Sequence, residues 1–281
     1  MKGIKAGNRV INIEELPLIM GILNVTPDSF SDGGRYLKPE DAIHHAKLML
    51  DEGADIIDVG GESTRPGSHG VPAEEELERV EPVIKGILRE RPDTVISIDT
   101  RKPEVAEHAL SLGALIINDV GGMRDPEMRK VARKFSSGVV IMHMKGEPAT
   151  MQDAPYYDDL MREVTKFLWT QAETCVSEGI DRSSIIVDPG IGFGKRYEDN
   201  ITLIRELRVI KELGYPVMVG VSRKSFLEGI TGRKVEERMV ASVAANIVAM
   251  VNGADILRVH DVRETRDAIR VVKTILSLPK E

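Results

Sequence analysis

Asn24, Asp99, Asn118, Asp188, Lys224, Arg258 and His260 share one property: each stands where a short apolar run of the chain stops. Asp58 and Glu62, Asp119, His143 and Ser222 end such runs in the same way. Together these residues supply carboxylates and amides with cations close by. Carboxylates accept hydrogen bonds from amino and ring N–H groups, and an amide or lysine can serve ring nitrogens and carbonyls. The set therefore suits a flat, nitrogen-rich heterocycle. Arg, His and Lys beside a hard cation held by an amide oxygen suit a diphosphate. Each residue taken singly has a plainer use. A carboxylate at a strand end often caps the next helix, and an Asn there often makes a turn; for Asp58 and Asp119 that use stands level with a site role. Eight coincident polar ends are harder to assign to capping alone.

The elements that must position these residues follow from the hydrophobic pattern. The runs at 18–23, 55–59, 94–98, 115–117, 138–142, 184–187, 216–220 and 255–259 are short, β-branched and apolar on both faces. Parallel strands covered on both sides have that composition. Amphipathic stretches such as "PEDAIHHAKLMLDEG" and "KPEVAEHALSLG" lie between them, opening with Pro and acidic residues and closing at Gly, as helix ends do. Eight βα units without a break predict one α/β domain over 1–281, a closed (β/α)8 barrel, whose usual size is about 250 residues. A doubly wound open sheet is the alternative. The first dozen or so residues are expected to form a small β hairpin plugging the bottom of the barrel. Sites of such barrels lie at the C-terminal ends of the strands. The polar ends would then line one cavity, with carboxylates and amides deep and cations at the rim.

Composition narrows the function further. Apolar content of 42% with 30% charged residues is that of an ordinary soluble enzyme. A net charge of −7 argues against nucleic acid or an anionic membrane as partner. Cys175 is the one cysteine, so no intrachain disulfide forms and a reducing, cytoplasmic compartment is expected. Its helical surroundings, "WTQAETCVSEG", predict a buried small apolar residue rather than a nucleophile. No signal-like apolar core occupies 1–16, and no run approaches the roughly 18 apolar residues of a spanning helix. "GIGFGK" at 190–195 lacks the spacing and the Ser/Thr of a phosphate loop. His44, His45 and His108 fall inside helical patterns, and no spaced Cys or His set offers a zinc site. Unaided residue chemistry reaches a barrel enzyme acting on a polar heterocycle that bears phosphate.

The motifs go further. "MGILNVTPDSFSDGG" at 20–34, "DVGGESTRPGS" at 58–68, "SIDT" at 97–100, "IINDVGG" at 116–122, "VIMHMKGEPATMQ" at 140–152, "DPGIGFGK" at 188–195, "GVSRKSF" at 220–226 and "RVHDV" at 258–262 follow in order. In these the chain resembles the dihydropteroate synthase family of pterin-binding TIM-barrel enzymes over almost its whole length. The resemblance implies a transferase of folate biosynthesis that condenses (7,8-dihydropterin-6-yl)methyl diphosphate with 4-aminobenzoate. It implies that Asp99, Asn118, Asp188 and Lys224 bind the pterin, and that Asn24 meets Mg2+ on the diphosphate. Thr64, Arg65, Arg258 and His260 would contact the phosphate end or its approach. Phe30, Pro66, Phe193, Ser222 and Lys224 would line the aminobenzoate site. The diphosphate would leave first, giving a pterin-stabilised cation that the arylamine attacks; Lys224, Arg258, His260, Asp28 and Arg65 would carry the catalytic roles. Loop 24–34 would be a lid, bringing Asp28 and Phe30 over the cation. A homodimer is expected from the family. A methyltetrahydrofolate–corrinoid methyltransferase would share the pterin carboxylates but have no use for Arg258, His260 or "ESTRPG". A non-catalytic pterin-binding protein would show losses at those rim residues.

Overall fold

The structure, a computed structural model, describes residues 3–13, 17–26, 38–63, 70–147 and 150–277. It opens with an antiparallel hairpin, β1 (Gly3–Ala6) and β2 (Arg9–Asn12). Eight parallel strands follow: β3 (Leu18–Asn24), β4 (Ile56–Gly60), β5 (Val95–Asp99), β6 (Ile116–Asp119), β7 (Gly138–Met142), β8 (Ile185–Asp188), β9 (Met218–Val219) and β10 (Ile256–Val259). They pair in the order β8-β7-β6-β5-β4-β3-β10-β9. A single parallel bridge between Val187 and Val217 joins the two ends of that order and closes the barrel. The closed (β/α)8 architecture and the plugging hairpin are thus as the pattern predicts. Only β9 is much shorter than its apolar run, covering two of the five residues at 216–220, with Val217 before it in the single bridge to Val187.

The helices are α1 (Pro39–Asp51), α2 (Ala73–Glu90), α3 (Pro103–Leu112), α4 (Pro126–Phe135), α5 (Leu160–Ser177), α6 (Tyr197–Arg205), α7 (Leu207–Lys211), α8 (Phe226–Thr231), α9 (Met239–Val251) and α10 (Val262–Ser277). Pro opens α1, α3 and α4 in the first turn, where its missing N–H costs nothing. Gly113 closes α3 in the left-handed conformation, which lets the chain reverse toward β6.

Alternation along the strands sorts the core into two layers. One face of each strand packs outward under the helices: Ile19, Ile57, Ile96, Ile117, Val139, Ile185 and Leu257 join Met49, Ile84, Ala109 and Leu168 of the helices. The other face fills the barrel: Met20, Ile56, Ile116, Val140, Ile186, Met218 and Ile256 form a separate cluster with Ile4, Ala6 and Ile11 of the hairpin. The hairpin therefore seals the N-terminal end of the barrel with apolar side chains. Two residues further along the same faces stand Ile22, Asp58, Asn118, Met142, Asp188 and Arg258. A strand's period of two thus turns four of these strands from apolar to polar in one step, at Asp58, Asn118, Asp188 and Arg258, while Ile22 and Met142 stay apolar.

Ile4 is fully buried in the plug. Its replacement by Ala should cost about 2–4 kcal/mol in urea unfolding, with substrate affinity at the opposite end unchanged. A loss below about 0.5 kcal/mol would mean that the hairpin is not part of the core.

Candidate active site

At the C-terminal end of the barrel the polar step becomes a connected cluster. Arg258 on β10 donates from Nε to Asp58 Oδ2 at 2.6 Å and from Nη2 to Asp99 Oδ2 at 2.7 Å. Asn118 on β6 donates from Nδ2 to the same Asp58 oxygen at 2.9 Å. One guanidinium thereby spans β4 and β5 from β10, three strands that share the barrel interior. The sequence reading sets the cations at the rim, but Arg258 folds down among the carboxylates, where the opposite charge is. Burial pushes the Asp99 carboxyl up to about 7, against the pull of Arg258 and with help from the Asp58 charge. Arg258 is itself held above its usual range, because the nearby Asp58 and Asp99 charges outweigh its burial. Among the described residues three acceptors of the cluster remain without a partner: Asp58 Oδ1, Asp99 Oδ1 and Asn118 Oδ1. Unsatisfied buried oxygens are costly, and three in one cluster mark a place where a donor-rich ligand belongs.

Asp188, at the end of β8, completes the acidic wall; burial raises its carboxyl, against the charge of Lys224. Lys224 sits opposite, donating to the Ile191 carbonyl, with its ammonium 4.6 Å from the centre of the Phe193 ring. Burial lowers Lys224 to about 8, with Asp188 opposing the drop. Loop 189–194, which carries Ile191 and Phe193, is bent by positive-φ glycines. At Gly190 (φ 69°) a Cβ would lie 1.9 Å from the His143 carbonyl, and at Gly194 (φ 61°) 2.3 Å from that of Lys145. Only glycine allows so close a backbone approach.

The same loop is fastened from beneath. Lys195 is buried, its ammonium donating to the carbonyls of Phe193 at 3.0 Å and Gly190 at 3.2 Å, and lying 2.9 Å from His143 Nδ1. His143 packs edge-on to Phe167. Burial first, and the Lys195 charge second, push its imidazole down to about 2. His143 thus stands at a strand end for a structural reason. Nothing in the local sequence signals the Lys195–His143 pair, since the two are brought together only by the adjacency of β7 and β8.

The structure also separates residues that the sequence leaves together. Asp119 faces away from Asn118 and accepts from the backbone N–H groups of Gly121 and Met123, both at 2.7 Å; it shapes the loop after β6. Glu62 accepts from Arg101, Lys102 and the Val71 N–H, so it anchors both ends of segment 62–71. Asp58, by contrast, belongs to the central cluster. Ser222 and His260 meet at the mouth, Oγ to Nδ1, at 3.0 Å. Asn24 is half-buried at the end of β3; its Oδ1 would be 3.6 Å from a Cβ on Gly60. Asp28, Phe30, Thr64, Arg65 and Pro66 lie outside the described residues, as does most of the expected lid. Among the described residues no group of three or more His, Cys, Asp or Glu is placed to hold a metal, and no helix is long and apolar enough to cross a membrane.

Comparison with known proteins places this geometry. Residues 20–260 match the family described as pterin binding enzyme. The chain is 46% identical over 261 residues to the dihydropteroate synthase of Escherichia coli strain K12, covering 93% of this chain and 92% of that protein. It superposes with a TM-score of 0.92, at 43% identity and 99% coverage of both chains, on Xanthomonas albilineans dihydropteroate synthase with 4-aminobenzoic acid. A second structure of the Xanthomonas albilineans enzyme, in complex with 7,8-dihydropteroate, gives a TM-score of 0.88 at 40% identity, covering 99% of this chain and 100% of that one.

The buried Lys195–His143 contact makes a spectroscopic prediction. With its folded-state value near 2, His143 should stay neutral from pH 8 to pH 5, its Nδ1 unprotonated, in 15N NMR of the imidazoles. A titration midpoint near the ordinary 6.5 would show that the pair is not formed.

Proposed function

We infer that this chain, which belongs to the pterin-binding enzyme family and within it to the dihydropteroate synthases, condenses (7,8-dihydropterin-6-yl)methyl diphosphate with 4-aminobenzoate. The products are 7,8-dihydropteroate and diphosphate. The observation that carries this reading is the cluster of buried oxygens on Asp58, Asp99 and Asn118, unpartnered among the described residues, around the Arg258 guanidinium. A pterin ring supplies amino and ring N–H donors on one edge, matching the acceptors that the described residues leave without a partner.

The residues divide the work as follows. Asp99, Asn118 and Asp188 accept from and orient the pterin, and Lys224 donates to a ring acceptor from the opposite wall. A guanidinium has five N–H donors; with one spent on Asp58 and one on Asp99, the remainder of Arg258 can turn to the diphosphate, with His260 beside it. When the C–O bond to diphosphate breaks, the electron pair leaves with the anion, and positive charge spreads over the ring, above Asp58, Asp99 and Asp188. Preorganised carboxylates in a water-poor site stabilise such charge without reorganising. The neutral arylamine then forms the C–N bond and loses its proton to solvent or to the departing anion, so no strong base is required. Phe193, Ser222 and the Lys224 stem form the arylamine wall. Asp28, Phe30, Thr64, Arg65 and Pro66 are assigned the roles that the family resemblance implies.

Mg2+ fits this donor set. An ion that keeps several waters and binds through substrate phosphate needs only one or two protein oxygens, and the Asn24 amide at the rim beside Asp99 and Gly60 offers one. Bound there, the ion would neutralise charge on the leaving diphosphate. A second copy of the chain is the proposed partner. Helix α9, "MVASVAANIVAMV", carries no charge, yet Val240 is 73% exposed, and Ile275 and Leu276 of α10 are 63% and 65% exposed. Exposed apolar side chains on two neighbouring helices are of the kind that a partner covers. The single buried thiol is in keeping with a cytoplasmic enzyme.

The test is diphosphate release from pterin diphosphate, 4-aminobenzoate and Mg2+. A hydrogen bond from a buried charge is worth about 1.5–3 kcal/mol, so Lys224→Met should lower kcat/KM at least about tenfold with its circular dichroism intact. Release at the wild-type rate would remove Lys224 from the site.

A further inference from the structure

Between Ser222 and Lys224 the backbone does something unusual. Lys224 N–H closes a turn on the Val221 carbonyl at 3.3 Å, and the third residue of that turn, Arg223, has φ of +58°. Turns of this shape place Gly or Asn there, because a side chain crowds the backbone when φ is positive. An arginine in that conformation is strained, and such strain persists only where the surroundings over-determine it.

The surroundings hold Arg223 at three points. Its N–H donates to Ser242 Oγ at 2.8 Å, and its carbonyl accepts from Arg238 Nη1 at 3.0 Å. Ser242 and Arg238 are both buried, at the start of α9, and Ser242 Oγ donates to the Arg238 carbonyl at 2.7 Å. The third hold is made by the side chain. Arg223 Nη2 reaches Asp261 Oδ1 at 2.5 Å, and Nε reaches Oδ2 at 3.3 Å. Asp261 follows His260, whose Nδ1 lies 3.0 Å from Ser222 Oγ and whose N–H donates to the same oxygen at 3.3 Å. Two adjacent residues after β9 are therefore tied to two adjacent residues after β10, Ser222 to His260 and Arg223 to Asp261.

We propose that Arg223 is a positioning residue: its paired side chain and left-handed backbone lock the loops after β9 and β10 into one rigid rim that sets Ser222 and the Lys224 stem for the arylamine, with His260 held beside Ser222. A glycine would make the turn without strain but would give up the grip on Asp261. The arginine accepts the strain because only a long forked side chain can grip Asp261 from that position. The turn also sends Lys224 back across the mouth toward Ile191 and Phe193, instead of along the strand direction. The assignment rests on the functional reading of those three side chains, and goes beyond it in naming what holds them.

Arg223→Gly separates this role from a merely structural one, since glycine keeps both backbone hydrogen bonds and relieves the turn. The variant should fold and melt like the parent. Its KM for 4-aminobenzoate should rise at least about tenfold, while calorimetric affinity for a pterin lacking diphosphate stays within about threefold. Asp261→Asn should give the same split. The double variant should be no worse than the poorer single one, as expected of two residues acting through one contact, and Arg223→Lys should recover part of the loss. An unchanged aminobenzoate KM in Arg223→Gly would overturn the proposal. So would a double variant whose effect is the product of the two single effects, or an equal loss of affinity for pterin. Absence of diphosphate release from the parent protein would instead overturn the functional reading itself.

Discussion

A guanidinium held between two buried carboxylates is the interaction on which the upper half of this barrel depends. Burying a lone carboxylate costs several kcal/mol, and removing one partner of a buried pair about 3–5. The inward faces of β4, β5 and β8 nevertheless present Asp58, Asp99 and Asp188 to the same barrel interior. Arg258 and Lys224 supply two positive charges against these three negative ones. The imbalance is one charge, and burial raises the Asp99 carboxyl to about 7, with the Asp58 charge adding to the rise, while burial alone raises Asp188 against the cations around it. A ligand rich in N–H donors relieves the same imbalance by serving the free oxygens. Folding and binding therefore act on a single charge balance.

Around that cluster the mouth is built from backbone held in unusual shapes. Loop 189–194 is bent by positive-φ glycines and fastened by the Lys195 ammonium, which gives its carbonyls a donor where water is excluded. The turn after β9 reaches a similar rigidity by the opposite means, a strained arginine gripped at three points. Both devices converge on Lys224, which touches Ile191 and Phe193 from one loop while belonging to the other. Its ammonium is thereby located by rigid neighbours on two sides, with Asp188 drawing its charge inward.

Much of this was legible from residue order, because a strand's period of two reports facing. Ile56 and Asp58, Ile116 and Asn118, Ile186 and Asp188, Ile256 and Arg258 each share a face, so an apolar plug and a polar cluster follow from the same parity. That parity also separates Asn118 from Asp119, and it places Asp58 inside; strand-end position alone treats the three alike. Other features had no local signal. Arg258 turns down to Asp58 and Asp99 because charge draws it there, across sequence separations of 200 and 159 residues. The Lys195–His143 pair exists only through the adjacency of β7 and β8. The left-handed Arg223 runs against turn preference and is sustained by α9 and Asp261, both distant in sequence.

The claim that Arg258 balances the buried carboxylates is tested most directly by the stability of Arg258→Met as a function of pH. Without the guanidinium, Asp58 and Asp99 are buried without their cation, so the Asp99 value, already near 7, rises further above the unfolded value near 3.9. The folded form then holds protons that the unfolded form releases, and stability declines as pH climbs through the raised values. Denaturant unfolding should show a loss of about 3–5 kcal/mol at pH 8, shrinking toward pH 5 as the carboxyls protonate. A loss under about 1 kcal/mol that is the same at both pH values would contradict the account, because it would mean that the carboxylates never needed the arginine.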